Sequence, residues 1–183
     1  MQHRRLDPIG DTSLDSDQRA LWDEVAGGSR AAHVAGATEL PGPFNPWMHA
    51  ARPALHAARL GESLRLDCTI DRALQEIAIL TVAGHHECEA VASAHRRLWL
   101  RLGGEASVAE RLTAGDSPDE ECLGLDGHVV HEVVMSLLRR HTIDDALYAR
   151  ALSALGAGAL VEVTLIVGYY STVAMTVNAF GVV

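Results

Sequence analysis

Apolar side chains recur along most of this chain at steps of three and four residues, the spacing that predicts α-helix. The clearest run covers residues 67–83, where the apolar positions include Ile70, Leu74, Ile77, Ala78 and Leu80. No segment shows convincing two-residue alternation, and no repeat of solenoid length is present. The pattern therefore predicts an all-α protein.

Glycine and proline divide this pattern into about seven or eight helices. Gly27-Gly28 ends a first helix over 15–26, and a loop reaching Pro41-Gly42-Pro43 follows. Pro53 is expected to kink a helix over 46–66 or to mark where its regular part begins. Gly84 is expected to separate a helix over 67–83 from one over 86–102. The remaining helices are predicted over 106–112, 127–140, 143–155 and 158–180.

Short helices joined by short loops predict an antiparallel helical bundle. The chain has 183 residues, so we expect a single domain over 1–183 with residues 1–14 as a loosely ordered lead-in. Hydrophobic residues make up 48% and aromatic residues only 4%, so Ala, Val and Leu must build the core. Such small side chains suit closely packed helices.

Charge and cysteine usage narrow the class of protein. A net charge of −9 argues against binding to a phosphate backbone, which needs a basic face. Cys68, Cys88 and Cys122 are an odd number and form no CxxC pair, which is typical of a reducing compartment. Because Met1 to Pro8 is polar and contains no apolar signal core, we expect a cytoplasmic protein.

The C-terminal segment 157–183 is almost uniformly apolar and long enough to span a bilayer. It contains Glu162, Asn178 and a Gly-Tyr-Tyr interruption, and no basic residues flank it. A helix that is apolar all round can equally be buried between subunits. We therefore predict a homo-oligomer rather than a membrane protein.

The stretch over 76–95, EIAILTVAGHHECEAVASAH, carries the candidate chemistry. Cys88 and His95 are seven residues apart, so on one helix they lie within roughly 20° of each other and about 10 Å apart along the axis. Val91 and Ala92 between them are small and leave room for a ligand. Glu76 lies on the preceding helix, and antiparallel packing across Gly84 would bring its carboxylate towards the same region.

Imidazole titrates near neutrality and moves protons in either direction, and a nearby carboxylate fixes its tautomer. The structural alternatives are a polar or capping histidine, a core cysteine and a surface glutamate. A metal site formed by His85 or His86 with Cys88 and His95 is a further alternative. Adjacent histidines on a helix point about 100° apart and zinc needs convergent ligands, so we expect no metal.

Five segments together resemble carboxymuconolactone decarboxylase-like proteins, and they are spread over nearly the whole chain. They are GPFNPWMH over 42–49, GESLR over 61–65, QEIAIL over 75–80, VGYY over 167–170 and NAFGV over 178–182. The same superfamily includes alkylhydroperoxidase D-like proteins with the motif E-x11-C-x2-C-x3-H. Glu76, Cys88 and His95 match the glutamate, first cysteine and histidine of that motif in register.

The chain departs from both branches of the superfamily at the same place. Val91 stands where the peroxidase branch has its second cysteine, which puts disulfide-linked peroxide reduction in doubt. Val91 and Ala92 also stand where the decarboxylase-like branch usually has a Glu-Trp pair. The resemblance nevertheless implies an all-α fold, commonly assembled as trimers or hexamers with sites at subunit contacts.

The first functional hypothesis is a cofactor-free enzyme that decarboxylates, isomerises or cyclises a small oxygenated, carboxylated or cyclic substrate. His95 would transfer the proton, and Glu76 would orient it. The candidate substrate-binding residues are Asn45, Trp47, His49, His85, His86 and Tyr169. Two rivals stay open: a single-cysteine peroxidase-like protein that uses Cys88, and a non-catalytic binding or scaffold homologue.

Overall fold

The computed structural model describes residues 4–182, apart from the side chain of His33, as helices joined by short turns. Within that range no β-strand is present, and Gly10 and Glu39 form an isolated antiparallel bridge. Seven of the described helices have eight or more residues. The prediction of an all-α protein with about seven or eight helices is therefore confirmed.

The helices are α1 Ser16–Gly27, α2 Ala31–Val34, α3 Phe44–Trp47, α4 Ala51–Leu66, α5 Arg72–His85, α6 Glu89–Arg101, α7 Ala106–Thr113, α8 Glu120–Arg140 and α9 Asp145–Phe180. Pro53 occupies the first turn of α4, where a missing backbone N–H costs nothing. It therefore marks where the regular part of that helix begins, as predicted. The segment predicted as a loop over 27–43 contains the single turn of α2.

Backbone contacts divide the chain into two compact units. The first comprises the residues up to Asp67 and those from Met175 onward, and in it α1 packs against α4. Of the predicted lead-in over 1–14, residues 1–3 lie outside the described part, and the Arg5 backbone N–H donates to Phe180 O at 3.0 Å. The single domain over 1–183 stays a prediction.

The second unit, Cys68–Ala174, is organised around α5, which packs against α6, α7 and α8. All ten residues from Gln75 to Gly84 are buried. A helix segment surrounded on several sides must be apolar nearly all round, and the buried stretch 75–84 satisfies this except at Gln75, Glu76 and Thr81. These exceptions therefore need specific partners.

The boundaries of α5 and α6 differ from the predicted ones. α5 begins at Arg72 rather than at residue 67, because the Asp71 side chain accepts a hydrogen bond from the Ala73 backbone N–H at 2.7 Å. Gly84 does not end the helix: α5 continues to His85. The chain then turns at Glu87, whose φ of 50° is left-handed, and α6 begins at Glu89 instead of residue 86.

Two glycines break the longest helices, and the break at Gly156 falls between the helices predicted over 143–155 and 158–180. Gly124 (φ 69°) interrupts α8 and Gly156 (φ 77°) interrupts α9, and both adopt conformations that side chains with a Cβ disfavour. The segments after these breaks correspond to the helices predicted over 127–140 and 158–180. The turn over 120–123 was not predicted as helical.

By length and composition, α9 is the one described helix that is apolar enough to cross a membrane, with a mean hydropathy of 1.8 in its most apolar window. Only 28% of that window is buried within the chain. Glu162 in its middle accepts hydrogen bonds from the backbone N–H groups of Thr69 and Ile70. α9 is thus hydrogen-bonded to the segment just before α5 and is partly exposed, and its burial between subunits stays a prediction.

Candidate active site

Glu76 and His95 meet in the interior of the second unit. Only 1% of the Glu76 side chain and 10% of the His95 side chain are exposed. His95 Nδ1 lies 2.7 Å from Glu76 Oε2 although the residues are 19 apart in sequence. The packing of α5 against α6 brings them together, so the predicted approach of Glu76 to His95 is confirmed. Their catalytic roles stay predictions.

The hydrogen bond sets the chemistry of the imidazole. An ionised carboxylate only accepts hydrogen bonds, so His95 Nδ1–H is the donor. In the neutral ring the other nitrogen, Nε2, then carries the lone pair. Protonation at Nε2 gives an imidazolium whose charge the Glu76 carboxylate stabilises. Nε2 is therefore the atom that can take a proton from a substrate or return it.

Arg72 places a positive charge next to the Glu76 carboxylate. Its Nη2 atom lies 3.6 Å from Glu76 Oε1, one turn along α5, and its side chain is 40% exposed. Within residues 4–182, Glu76 Oε1 accepts no hydrogen bond although it is buried. Burying a carboxylate costs free energy unless its partners compensate for lost hydration. The free-energy cost of burying Glu76 is easier to explain in a functional site than in an ordinary helix core.

Tyr170 on α9 is a site residue that sequence reasoning missed. Its ring packs edge to face against His95, with the centroids 5.0 Å apart and the planes at 89°. The predicted residue Tyr169 packs in the same manner against Tyr170, at 5.2 Å, rather than against His95. Neighbouring residues of a helix point about 100° apart, so the sequence could not decide which tyrosine faces the imidazole. The sequence signal that could have indicated Tyr170 was the Gly-Tyr-Tyr interruption of the apolar C-terminal segment.

Cys88 does not lie on a helical face with His95, as the sequence had suggested, because it is the N-cap of α6. The side chain is buried, with 1% of the residue exposed. Burial raises the pKa of the Cys88 thiol, and backbone N–H groups of Val91 and Ala90 oppose that rise only in part. A thiol whose pKa is raised forms less thiolate, which is the nucleophilic species.

A cavity of about 520 Å³ lies at the turn between α5 and α6, and its wall includes Cys88, Ala92 and His85. His95, one turn farther along α6, does not line it. His86 packs edge to face on His85 with centroids 5.1 Å apart, and burial together with His85 lowers the pKa of His86. The structure thus groups Cys88 and His85 around a space that is distinct from the Glu76–His95 pair.

Metal ligands do not converge in the described part of the chain. Among those residues, no group of three or more His, Cys, Asp or Glu side chains is placed to hold a metal ion. The rings of His85 and His86 stand at 88° to each other, in keeping with their adjacent positions. The expectation that the protein binds no metal stays a prediction.

Asn45, Trp47 and His49 belong to the first unit, where each bonds a neighbour within that unit. Asn45 Nδ2 donates to Ile9 O at 3.3 Å, and Trp47 Nε1 donates to Thr176 Oγ1 at 3.0 Å. His49 Nε2 lies 3.1 Å from Asp7 O. Each of the three side chains therefore contacts another segment of the first unit. A role for them in substrate binding stays a prediction.

No protein-family model and no curated protein matches this sequence. A solved structure is similar: the crystal structure of an uncharacterized peroxidase-related protein from Silicibacter sp. TM1040. The two chains are 15% identical, the match covers 98% of this chain and 91% of that one, and the TM-score is 0.70. A likeness at this identity shows the fold alone. The predicted helical fold is therefore shared with a peroxidase-related protein.

Proposed function

We propose that this protein is an acid–base enzyme of the carboxymuconolactone decarboxylase-like type, with His95 as its proton carrier and Glu76 as the residue that positions it. The observation that supports this most directly is the buried hydrogen bond of 2.7 Å between them. The five sequence segments that resemble the superfamily also support the proposal, and the helical fold agrees with it.

The substrate class follows from what a single imidazole can do. In a decarboxylation, the bond between the carboxylate carbon and its neighbour breaks, CO2 leaves, and the electron pair remains as an enolate. The Nε2–H of the imidazolium then protonates the enolate carbon, and solvent returns the proton to His95. The substrate must therefore carry a group that stabilises the enolate, such as a carbonyl β to the carboxylate or a lactone. Isomerisation and ring closure use the same proton transfer.

The peroxidase alternative has less support from the described geometry. It requires a reactive thiolate, whereas Cys88 is buried and its pKa is raised by that burial. It also requires a resolving thiol, and Val91 stands at the corresponding position. We therefore place the chemistry at His95 rather than at Cys88.

The test is proton transfer to carbon, measured on a panel of β-keto acids and carboxylated lactones. CO2 release reports decarboxylation, and incorporation of solvent deuterium followed by NMR reports the step shared with isomerisation. We expect His95→Gln to retain the fold and to lose about two to four orders of magnitude in kcat. Glu76→Gln should lose less, because it removes charge and orientation but leaves the proton carrier.

The matched control is His128→Gln, which changes a partly exposed histidine of the same unit outside the pair. It should turn over at the wild-type rate. Wild-type turnover by His95→Gln would show that the site lies elsewhere, with His49 and His86 as the next residues to replace.

A further inference from the structure

A second cavity of the second unit lies apart from the Glu76–His95 pair. It has a volume of about 680 Å³ and is formed beside α8 and the first turns of α9. A volume of this size is within the range of small-molecule sites. Its wall contains several ionisable side chains, of which those that matter here are His131, Glu132, Arg139, Arg140, Asp144 and Arg150.

The tautomer of His131 is set by Thr81. The Thr81 hydroxyl lies 2.7 Å from Ile77 O, and because a carbonyl oxygen cannot donate, the hydroxyl proton must be used in that bond. Thr81 Oγ1 also lies 3.1 Å from His131 Nδ1. With its proton committed, the hydroxyl can only accept, so Nδ1–H is the donor. The neutral ring therefore carries its lone pair on Nε2.

His131 Nε2 is a buried acceptor without a donor. His131 is only 3% exposed, and among residues 4–182 its Nε2 atom has no hydrogen-bond partner. Burial first, and then His128 and Arg139, lower the pKa of His131 to about 4, although Glu132 acts in the opposite direction. At neutral pH the ring is therefore an unpaired acceptor in the cavity wall, and such a group gains most from a ligand that donates a hydrogen bond.

The cavity wall also includes an exposed arginine without a carboxylate partner among the described residues. Arg150 pairs with Glu132 through two contacts of 2.7 and 3.2 Å, and Arg140 Nη2 lies 3.7 Å from Asp144. Arg139 forms no ion pair with any residue that the structure describes. The carboxylates of the wall are thus matched by two arginines, and the third is available to an anion.

We propose that this cavity binds a small hydroxy acid, whose hydroxyl group donates to His131 Nε2 and whose carboxylate pairs with Arg139. The two residues are roughly 12 Å apart along the axis of α8, and the arginine side chain leans back towards the helix N-terminus, which shortens the gap. A short chain carrying both groups fits that arrangement. This site is separate from the proposed catalytic pair and does not rest on its function.

Isothermal titration calorimetry at about pH 7.5, where His131 is neutral, tests the proposal with two pairs of probes. L-malate differs from succinate, and citrate from tricarballylate, by one hydroxyl group. At least one hydroxylated member should bind at least about tenfold more tightly than its partner. Arg139→Gln should weaken both members of that pair alike, and the exposed arginine variant Arg101→Gln should change neither.

His131→Leu should abolish the difference within each pair while leaving the weaker binding in place. If that variant fails to fold, the wild type still decides the question through proton uptake, measured from titrations in buffers of different ionisation enthalpy. Binding to the neutral ring takes up no proton. Uptake of one proton, equal binding within both pairs, or no binding by any probe at about 10 mM would overturn the proposal.

Discussion

Two buried histidines of the second unit have opposite surroundings. His95 donates a hydrogen bond to the Glu76 carboxylate, and the Arg72 guanidinium lies near the other oxygen of that carboxylate. His131 donates to the neutral Thr81 hydroxyl and faces the positive charge of Arg139. The first ring therefore has an anion as its hydrogen-bond partner, whereas burial and nearby cationic groups lower the pKa of the second. This contrast supports the proposal that His95, rather than His131, transfers the proton.

The lowered pKa of His131 predicts a specific loss of stability in acid. The folded ring has a pKa of about 4 and an unfolded one has the ordinary value of 6.5, so between these pH values only the unfolded chain binds the proton. The contribution is present above pH 6.5 and is lost as pH falls towards 4. Between pH 7 and 4.5, the unfolding free energy should fall by up to about 2–3 kcal/mol more in the wild type than in His131→Gln. Urea denaturation across this range measures it, and parallel curves would contradict it.

Cys88 is predicted to matter for packing and not for redox chemistry. Its thiol is buried and its pKa is raised, so thiol-dependent peroxide consumption by the wild type should be negligible. Cys88→Ala should lower the free energy of unfolding by about 1–2 kcal/mol through lost contacts, with little change in turnover. A thiol reagent should modify the exposed Cys122 before Cys88. Vigorous peroxide reduction that disappears in Cys88→Ser would reverse our assignment.

At the scale of secondary structure, the α5–α6 turn determines how Glu76 and His95 come together. Gly84 lies in the last turn of α5, where the end of α7 packs directly on its backbone. A Cβ at this position would lie 2.3 Å from Leu112 O and 3.0 Å from Thr113 Cα. Both are backbone atoms that cannot rotate away. The glycine therefore permits close packing of two helices rather than a helix end.

Gly84→Ala should therefore destabilise the protein, because α5 and α7 must separate to admit the methyl group. We expect a loss of about 1–3 kcal/mol in the free energy of unfolding, measured by chemical denaturation. Gly158→Ala in α9 is the matched control, since a Cβ there meets no atom within 4 Å. In the control, the higher helix propensity of alanine should leave stability unchanged or raise it by about 0.5–1 kcal/mol. Equal effects of the two substitutions would refute the packing argument.

At the scale of the whole molecule, the exposed apolar side chains of α9 favour association with another protein chain. Val161 is 59% exposed and Leu165 is 45% exposed, and they lie one turn apart with the exposed Gly168 continuing the stripe. Contiguous apolar surface of this kind favours association. The opposite side of the same helix holds buried residues such as Val163 and Ile166. α9 is therefore expected to pack within its own chain on one side and against a second copy on the other.

The size of the protein in solution tests this expectation. Light scattering coupled to size exclusion should give a mass well above the 19.6 kDa of one chain. The double variant Val161→Glu, Leu165→Glu should shift the protein towards the monomer, because burying two carboxylates opposes association. Leu125→Glu, at an exposed leucine of α8, controls for added charge and should keep the assembly. A wild-type protein that is monodisperse as a monomer would contradict the expected assembly.

Much of this architecture could be predicted from the order of residues alone. Three- and four-residue periodicity located the helices, and Gly156 divides α9 near the predicted position because only glycine adopts such backbone angles easily. The approach of Glu76 to His95 was also predictable, since a short turn forces the two helices to pack side by side. These features depend on local conformation and on neighbours along the chain.

The remaining features depend on contacts between distant segments, and periodicity does not encode those. Gly84 was expected to end a helix, yet α7 packs on its backbone and α5 ends one residue later, and Cys88 lies outside α6 as its N-cap. Tyr170 rather than Tyr169 faces His95, because the rotation of α9 is set by its packing. Thr81 and His131 meet across 50 residues of sequence. Each outcome depends on which side chains fill a shared volume, and only the folded chain decides that.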